Sequence, residues 1–300
     1  MSKTANEKNG GSNNGLRFLL MLALVLVAAP AAKGEGAPNP WHIALFGGGW
    51  LGQNGDIGTY WRAYDRFFSK WAEAYGAMKS GSLSWPDAGA AFGGEIGRAL
   101  SSRLSLGLAV ERLSKKEAGS FIVGSRTDQM EMTLSAFSVS ASGRYAVPLT
   151  KHVSLTFRAE LGALFGSLNQ RLDSRMTDGG GVLVTADFDA TGFTGLTGIG
   201  LDWILGPRFS LQCEAGYRVA SLSNWSGTDL HDWGDGSQGH EGALYYVDQR
   251  IDTERIPAVY YPGLILGDPS MGTGMVAYRA FKADFSGFRF QVGLAYRFGG

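Results

Sequence analysis

The sequence predicts an all-β fold in which eight antiparallel strands close into a transmembrane β-barrel, with a helical segment in the first long loop. Three observations predict it. A two-residue hydrophobic alternation recurs along the chain, the connections alternate between short and long, and no long apolar run follows the first 31 residues. The 45 glycines show no three-residue period, which excludes a collagen-like chain. Glycine set among alternating residues instead marks strands that pack closely or curve.

The alternation is clearest near the C-terminus. Phe288, Phe290, Val292, Leu294, Tyr296 and Phe298 fall on one face, and Arg289, Gln291, Gly293, Ala295 and Arg297 on the other. Successive side chains of a strand point to opposite faces, so this segment has one apolar and one polar side. The pattern repeats in Phe209–Val219, Val153–Phe165, Leu104–Val110 and Ile199–Trp203. Trp41–Trp50, Ala88–Leu100 and Met130–Tyr145 complete the eight. In the last of these the apolar phase slips near Ala136 and Phe137, which suggests a β-bulge.

Three connections are short: Ser101–Arg103, Pro148–His152 and Leu205–Pro207. Four are long: about 53–85, 114–129, 171–181 and 221–284. Short turns at one end, long loops at the other and an even strand count describe a transmembrane barrel with both termini in the periplasm. A soluble sandwich has no reason to gather its long loops at one end. Within the last loop, Leu244–Val247 and Ile256–Tyr261 form either a hairpin above the membrane or two further strands, making ten. The charged connection Arg250–Glu254 favours the hairpin, and so eight.

Ahead of the barrel, Lys3, Lys8 and Arg17 precede the apolar run Phe18–Ala29, and Ala29-Pro30-Ala31 follows. This is the pattern of a secretory signal peptide over residues 1–31, leaving 32–300 as the barrel domain. The run is too short to span a bilayer comfortably as a helix. The only cysteine, Cys213, stands far from the cleavage site, so lipid attachment there is not expected, and neither an internal disulfide nor a thiolate metal cluster can form. Expected localisation is the outer membrane.

On these residues the chain resembles the small eight-stranded outer-membrane proteins of the OmpA, OmpX and OmpW type. The segment Phe288, Phe290, Val292, Leu294, Tyr296, Phe298 resembles their barrel-assembly signal, although Gly299 and Gly300 follow the last aromatic. The resemblance implies outer-membrane lipid, lipopolysaccharide and the barrel-assembly machinery as partners.

The polar faces carry Glu95, Glu111, Arg158, Glu160, Asp202, Glu214, Arg218, Arg289 and Arg297. An arginine facing lipid at mid-depth costs about 2–4 kcal/mol, so these side chains belong inside, as a lumen ionic network. An eight-stranded barrel is just wide enough for side chains to fill it. A packed ionic interior is therefore expected. Small inward residues such as Gly93, Gly107, Gly162, Gly200 and Gly216 leave a narrow channel as the alternative.

In loop one, Tyr60, Trp61, Tyr64, Phe67, Phe68, Trp71 and Tyr75 recur at helical spacing. Such a helix either caps the barrel mouth or lies in the outer leaflet. Loop four carries Trp225, His231, Asp232, Trp233, Asp235, His240 and Glu241, ligand types whose spacing matches no standard metal site. No metal or other cofactor is expected.

Balanced charge, with 27 basic and 27 acidic residues, argues against nucleic acid as a partner. His152-Val153-Ser154 with Glu160 resembles the His-x-Ser arrangement of outer-membrane lipid A deacylases. Leu155 stands where that family has asparagine, and His152 falls on a periplasmic turn, so no enzyme is expected. The expected role is a structural or surface-interaction barrel whose extracellular ligand the sequence does not name. The alternatives are a narrow OmpW-like channel, a lipid-modifying enzyme and a secreted soluble β-protein.

Overall fold

A strand leaves its backbone donors and acceptors open along each edge, and a sheet loses both edges only by closing on itself. The chain does this. The computed structural model describes residues 41–52, 55–251, 259–267 and 275–298, so the expected signal peptide lies outside the described residues. Along the chain come β1 (Trp41–Gly52), α1 (Gly55–Ala74), β2 (Lys79–Gly81), β3 (Ala88–Ala99), β4 (Leu104–Val123), β5 (Arg126–Pro148), β6 (Val153–Met176) and β7 (Gly181–Ile204). They are followed by β8 (Phe209–Leu222), β9 (Ser226–Asp232), β10 (Ser237–Ile251), β11 (Val259–Leu266), β12 (Met275–Ala280), β13 (Ala283–Asp284) and β14 (Gly287–Phe298). Eight of them pair antiparallel in a closed circuit: β1, β3, β4, β5, β6, β7, β8, β14 and back to β1. No described helix is long and apolar enough to cross a membrane.

The turns at one end are tight because local side chains satisfy their backbone. Ser101 Oγ accepts from the N–H of Arg103 and Leu104 at 3.2 and 3.0 Å, and Thr150 Oγ1 from those of His152 and Val153. At the other end β4 to β7 run far beyond the rest. Here two expected loops are corrected. Residues 114–129 and 171–181 are mostly strand, with the β4–β5 ladder unbroken from Leu104↔Tyr145 to Val123↔Arg126 and β6–β7 from Val153↔Trp203 to Arg175↔Gly181.

The expected bulge at Ala136 and Phe137 is also corrected: β5 passes through both residues without a register shift against either neighbour. What changes there is the side on which the apolar medium lies. Below this level the outward residues are apolar and the inward ones polar; above it the faces exchange. On β5, Phe137, Val139, Ala141 and Tyr145 point out over the lower part, with Ser138, Ser140, Ser142 and Arg144 buried inside. Higher up, Met130, Met132 and Leu134 are buried inside while Gln129, Glu131, Thr133 and Ser135 point out. On β6 the outward face passes from Leu161, Ala163 and Phe165 to Ser167, Asn169 and Arg171; on β7 it passes from Phe193 up to Thr191, Asp189 and Asp187. Phe137 pairs with Phe165, so the exchange falls at one level around this side of the ring.

The lower outward surface is an apolar belt. Leu45, Leu161, Phe193 and Val219 are 63–82% exposed. Among the described residues no Asp, Glu, Lys, Arg or His stands on an outward position between Arg98 at the lower rim and Arg112 at the upper. Aromatic side chains crowd both rims: Trp41, Tyr145, Trp203, Phe209, Tyr296 and Phe298 below, Phe137, Phe165, Phe193, Tyr217 and Phe288 above.

The last long loop supplies β9 to β13. Strand β9 continues the sheet beside the upper part of β7, while β8 pairs with its lower part. Strand β10 pairs with β9, β11 and β12. Of the hairpin expected between 244–247 and 256–261, the described residues form β10–β11, in the register Leu244↔Leu266 to Ile251↔Val259, outside the eight-strand circuit, while 252–258 lie outside the described residues.

Candidate functional site

The interior of the ring is stacked in three layers. The middle layer is ionic, and its hub is Arg158. Its Nη2 lies 2.5 Å from Glu95 Oε2, its Nε 2.6 Å from Glu160 Oε1 and its Nη1 3.5 Å from Glu214 Oε2. Arg289 approaches Glu111 at 3.2 Å and Glu160 at 3.5 Å, and Arg218 pairs with Glu111. The layer places four carboxylates, Glu95, Glu111, Glu160 and Glu214, among four guanidinium groups, Arg144, Arg158, Arg218 and Arg289, all buried. Their formal charges cancel, which a buried set of this size needs. Phe46 lies within the layer, its ring centre 5.5 Å from the Arg158 guanidinium and 5.0 Å from that of Arg289. Gly93 gives its ring room, since a Cβ there would lie 2.9 Å from the ring, and Gly293 lets β1 approach, since a Cβ there would lie 3.0 Å from the Phe46 Cβ.

Asp202 and Arg297 meet lower down, at 3.1 Å, near the short-turn rim. The nine charged residues expected on the inner face are thus brought into contact as two groups. Sequence reasoning missed Arg144, 3.9 Å from both Glu95 and Glu214, and His42, 3.2 Å from Glu95. Both were legible in principle. Arg144 shares its parity with the small polar residues Ser138 to Ser142, and His42 with the inward Ala44 and Phe46.

Above the ionic layer sits an apolar plug. The aromatic face of α1, with Ile57, Tyr60, Trp61, Tyr64, Phe68 and Ala72 buried, packs inside the upper ring against Leu113, Phe121, Met130, Met132, Leu164 and Leu168. The helix therefore fills the mouth, as the capping reading expects, and its aromatic face does not turn outward as the alternative of an outer-leaflet helix requires. Trp61 Nε1–H points at Met132 Sδ at 3.4 Å, and the Phe68 and Phe121 ring centres are 4.6 Å apart. At the N-terminus of α1 the Asp56 carboxylate accepts the Lys282 N–H at 2.8 Å and pairs with the Arg279 guanidinium. Asp56 N–H donates to the Lys282 carbonyl at 3.0 Å. Gly55 stands at φ +56°, where a side chain would meet the Lys282 carbonyl oxygen, so glycine suits the turn into the helix. Burial pushes the Tyr60 phenol up to about 12, against the opposing effect of a hydrogen bond with Gln170.

Below the ionic layer a polar cavity of about 310 Å³, lined in part by His42, Arg144, Thr156, Asp202, Gln212 and Arg297, opens at the short-turn end. On the outside, Phe288, Phe290, Val292 and Leu294 project from β14 at 47–59% exposure. Tyr296 and Phe298 share that face, Tyr296 packing 5.1 Å from Phe209. Their strand closes the circuit against β1. His152 lies exposed in a turn, while Glu160 is bound within the ionic layer, so His152, Ser154 and Glu160 do not assemble into one site.

No protein-family model matches the chain, and no curated protein does. Among solved structures it is similar to the outer membrane protein OprG from Pseudomonas aeruginosa, at 9% identity and a TM-score of 0.37 over 88% of this chain and 99% of that one. A second is the translocator domain of the autotransporter NalP from Neisseria meningitidis, at 12% identity and a TM-score of 0.20 over 95% and 98%.

Proposed function

We propose that the chain is an outer-membrane β-barrel with a closed lumen, exported by a cleaved signal peptide, whose work is done by the strands and hairpins above the membrane. The observation that carries this is the exchange of faces at Phe137 and Phe165. A soluble protein hides its apolar faces throughout. This chain hides them inside only above that level and turns them outward below it, without a charged residue on the described outer side between the rim residues Arg98 and Arg112. From Phe209 to Val219 the outward face of β8 is apolar throughout. Ten strand steps of about 3.3 Å, tilted about 40°, rise about 25 Å, the height of the apolar band of such barrels. The aromatic rims match the girdles at the two lipid–water interfaces. The short turns then face the periplasm, and the long extensions meet lipopolysaccharide and the cell exterior.

Closure of the lumen rests on the ionic layer and the plug stacked in series. The mobility of the membrane-extracted protein, unboiled against boiled in SDS, tests the barrel: a shift on boiling supports it, and one unshifted band from a soluble fraction overturns it. Planar-bilayer recording tests closure, with silence expected. Stable single-channel steps would favour the narrow channel instead, which the polar cavity reaching up to His42 and Arg144 would serve as a periplasmic vestibule.

A further inference from the structure

The hairpin of β9 and β10 brings together three metal-ligating side chains that the sequence keeps eleven residues apart. Asp229 and His240 are direct cross-strand partners, and His231 follows Asp229 by two residues, so all three share one face. Asp229 Oδ1 lies 2.7 Å from His240 Nδ1, and Asp229 Oδ2 lies 3.3 Å from His231 Nε2. One donor atom from each falls within 4.8 Å of the others. We propose that Asp229, His231 and His240 bind a divalent transition-metal ion of the zinc class at the extracellular rim.

The chemistry of the donor set selects the ion. Two imidazoles with one carboxylate suit zinc-like ions, whereas calcium and magnesium require oxygen ligands throughout. A tetrahedral zinc with bonds of about 2.0–2.1 Å holds its ligand atoms about 3.3 Å apart. The Asp229–His231 distance of 3.3 Å matches that value, and the Asp229–His240 distance of 2.7 Å falls below it, so His240 must draw back by a small side-chain rotation. Three protein ligands leave the fourth position to water or to a ligand from outside.

The backbone beneath the site is held from two sides. Strand β9 is laddered to β7 from Leu183↔Asp232 to Asp189↔Ser226 and to β10 from Ser237↔Asp232 to Ala243↔Ser226. Ligands carried on paired strands hold their geometry better than ligands on loops. Val184 and Ala186 of β7 stand opposite His231 and Asp229 and give the site an apolar flank. Trp233 packs its ring 5.7 Å from His231 and supplies a nearby fluorophore. Of the other acidic residues in this loop, Asp232 is engaged in the turn, accepting the Gly234 N–H at 2.8 Å, and Glu241 lies on the opposite face.

The test is zinc titration of the intact refolded chain in detergent, in competition with a chromogenic chelator. One equivalent is expected to bind, with affinity falling at least tenfold in His240→Ala and in His231→Ala. His152→Ala, elsewhere on the chain, is expected to bind as the parent does. Each variant is first checked for its heat-dependent gel mobility, so that misfolding is not read as lost binding. Absence of stoichiometric binding to the folded parent overturns the proposal, as does binding that survives in both His231→Ala and His240→Ala. A failed gel shift in the parent would instead overturn the barrel, a separate result.

Discussion

An arginine placed at each of two outward positions of β5 tests whether lipid covers the apolar belt. Ala141 lies midway between the rim residues Phe137 and Tyr145, on the face that carries Val139. Ser135 is on the same face of the same strand, one outward position above Phe137. If lipid covers the belt, Ala141→Arg puts a guanidinium near the bilayer midplane, and stability in lipid vesicles should fall by about 2–4 kcal/mol. Ser135→Arg puts the same group above the interface, where the cost is about 0–1 kcal/mol or less. The assay is guanidinium unfolding in vesicles, followed by tryptophan fluorescence, with the parent and both variants at one lipid ratio. Propensity and strand position are nearly matched, so the difference between the variants isolates the medium. In a soluble protein both sites are surface substitutions, each within about 0.5 kcal/mol of the parent. Equal midpoints for the two variants would refute the membrane boundary.

Three further outcomes follow from the interior. Arg158→Met leaves the ionic layer with four carboxylates against three guanidinium groups and should cost about 3–5 kcal/mol. In Arg158→Met/Glu95→Gln the losses should be less than additive, by about 1–3 kcal/mol, and strict additivity in the unfolding curves would mean the two residues do not interact. Trp61→Ala should cost about 3–5 kcal/mol by opening a cavity beneath α1, and a loss below about 1 kcal/mol in the same assay would show that the helix does not fill the mouth. The Tyr60 phenol titrates near 12 in the folded chain and near 10 when unfolded. Because the folded value is the higher one, this contribution to stability is whole below pH 10 and is lost between about pH 10 and 12. It amounts to at most about 3 kcal/mol. Tyr60→Phe should flatten that part of the profile of unfolding midpoint against pH; an unchanged slope would contradict the burial.

The strands of the belt were legible because a period of two has one reading wherever one face is greasy and the other carries charge. Each segment from Trp41–Trp50 to the C-terminal Phe288–Phe298 falls on an observed strand. What the sequence hid was the upper half of β4 to β7. There the helix supplies the apolar contact from inside, so Phe121, Met130 and Leu168 carry the opposite parity from Val110, Phe137 and Phe165 on their own strands. A reading that holds one phase along a strand meets this exchange as a bulge or a loop. The cluster of Asp229, His231 and His240 was illegible for another reason. Metal-ligand spacing in a sequence is local, whereas here the third ligand arrives across a ladder whose register depends on the turn at Trp233–Gly236. The helix was legible because its aromatic spacing is local, but what its aromatic face packs against was not, since amphipathic spacing fits a capping helix and an interfacial one alike.

The exchange of faces also explains why the ionic layer sits where it does. Above Phe137 the interior can be apolar, because α1 is there to fill it. Among the described residues no further helix or hairpin enters the ring below α1, and the wall's inward residues must fill an interior that the apolar contacts of the outer face do not reach. Long side chains reaching across from opposite walls fill that width, and arginine and glutamate can do so while satisfying one another. Removing a guanidinium there strands a carboxylate between the plug and the cavity, whereas removing an apolar residue of the plug only opens a void. The two interior layers should therefore fail differently. Loss of charge balance in the ionic layer should be relieved by a compensating loss of its carboxylate partner, as in Arg158→Met/Glu95→Gln. A void beneath Trp61 should be relieved only by restored volume. That difference follows from the inverted wall, and a soluble β-protein with a single apolar core would not produce it.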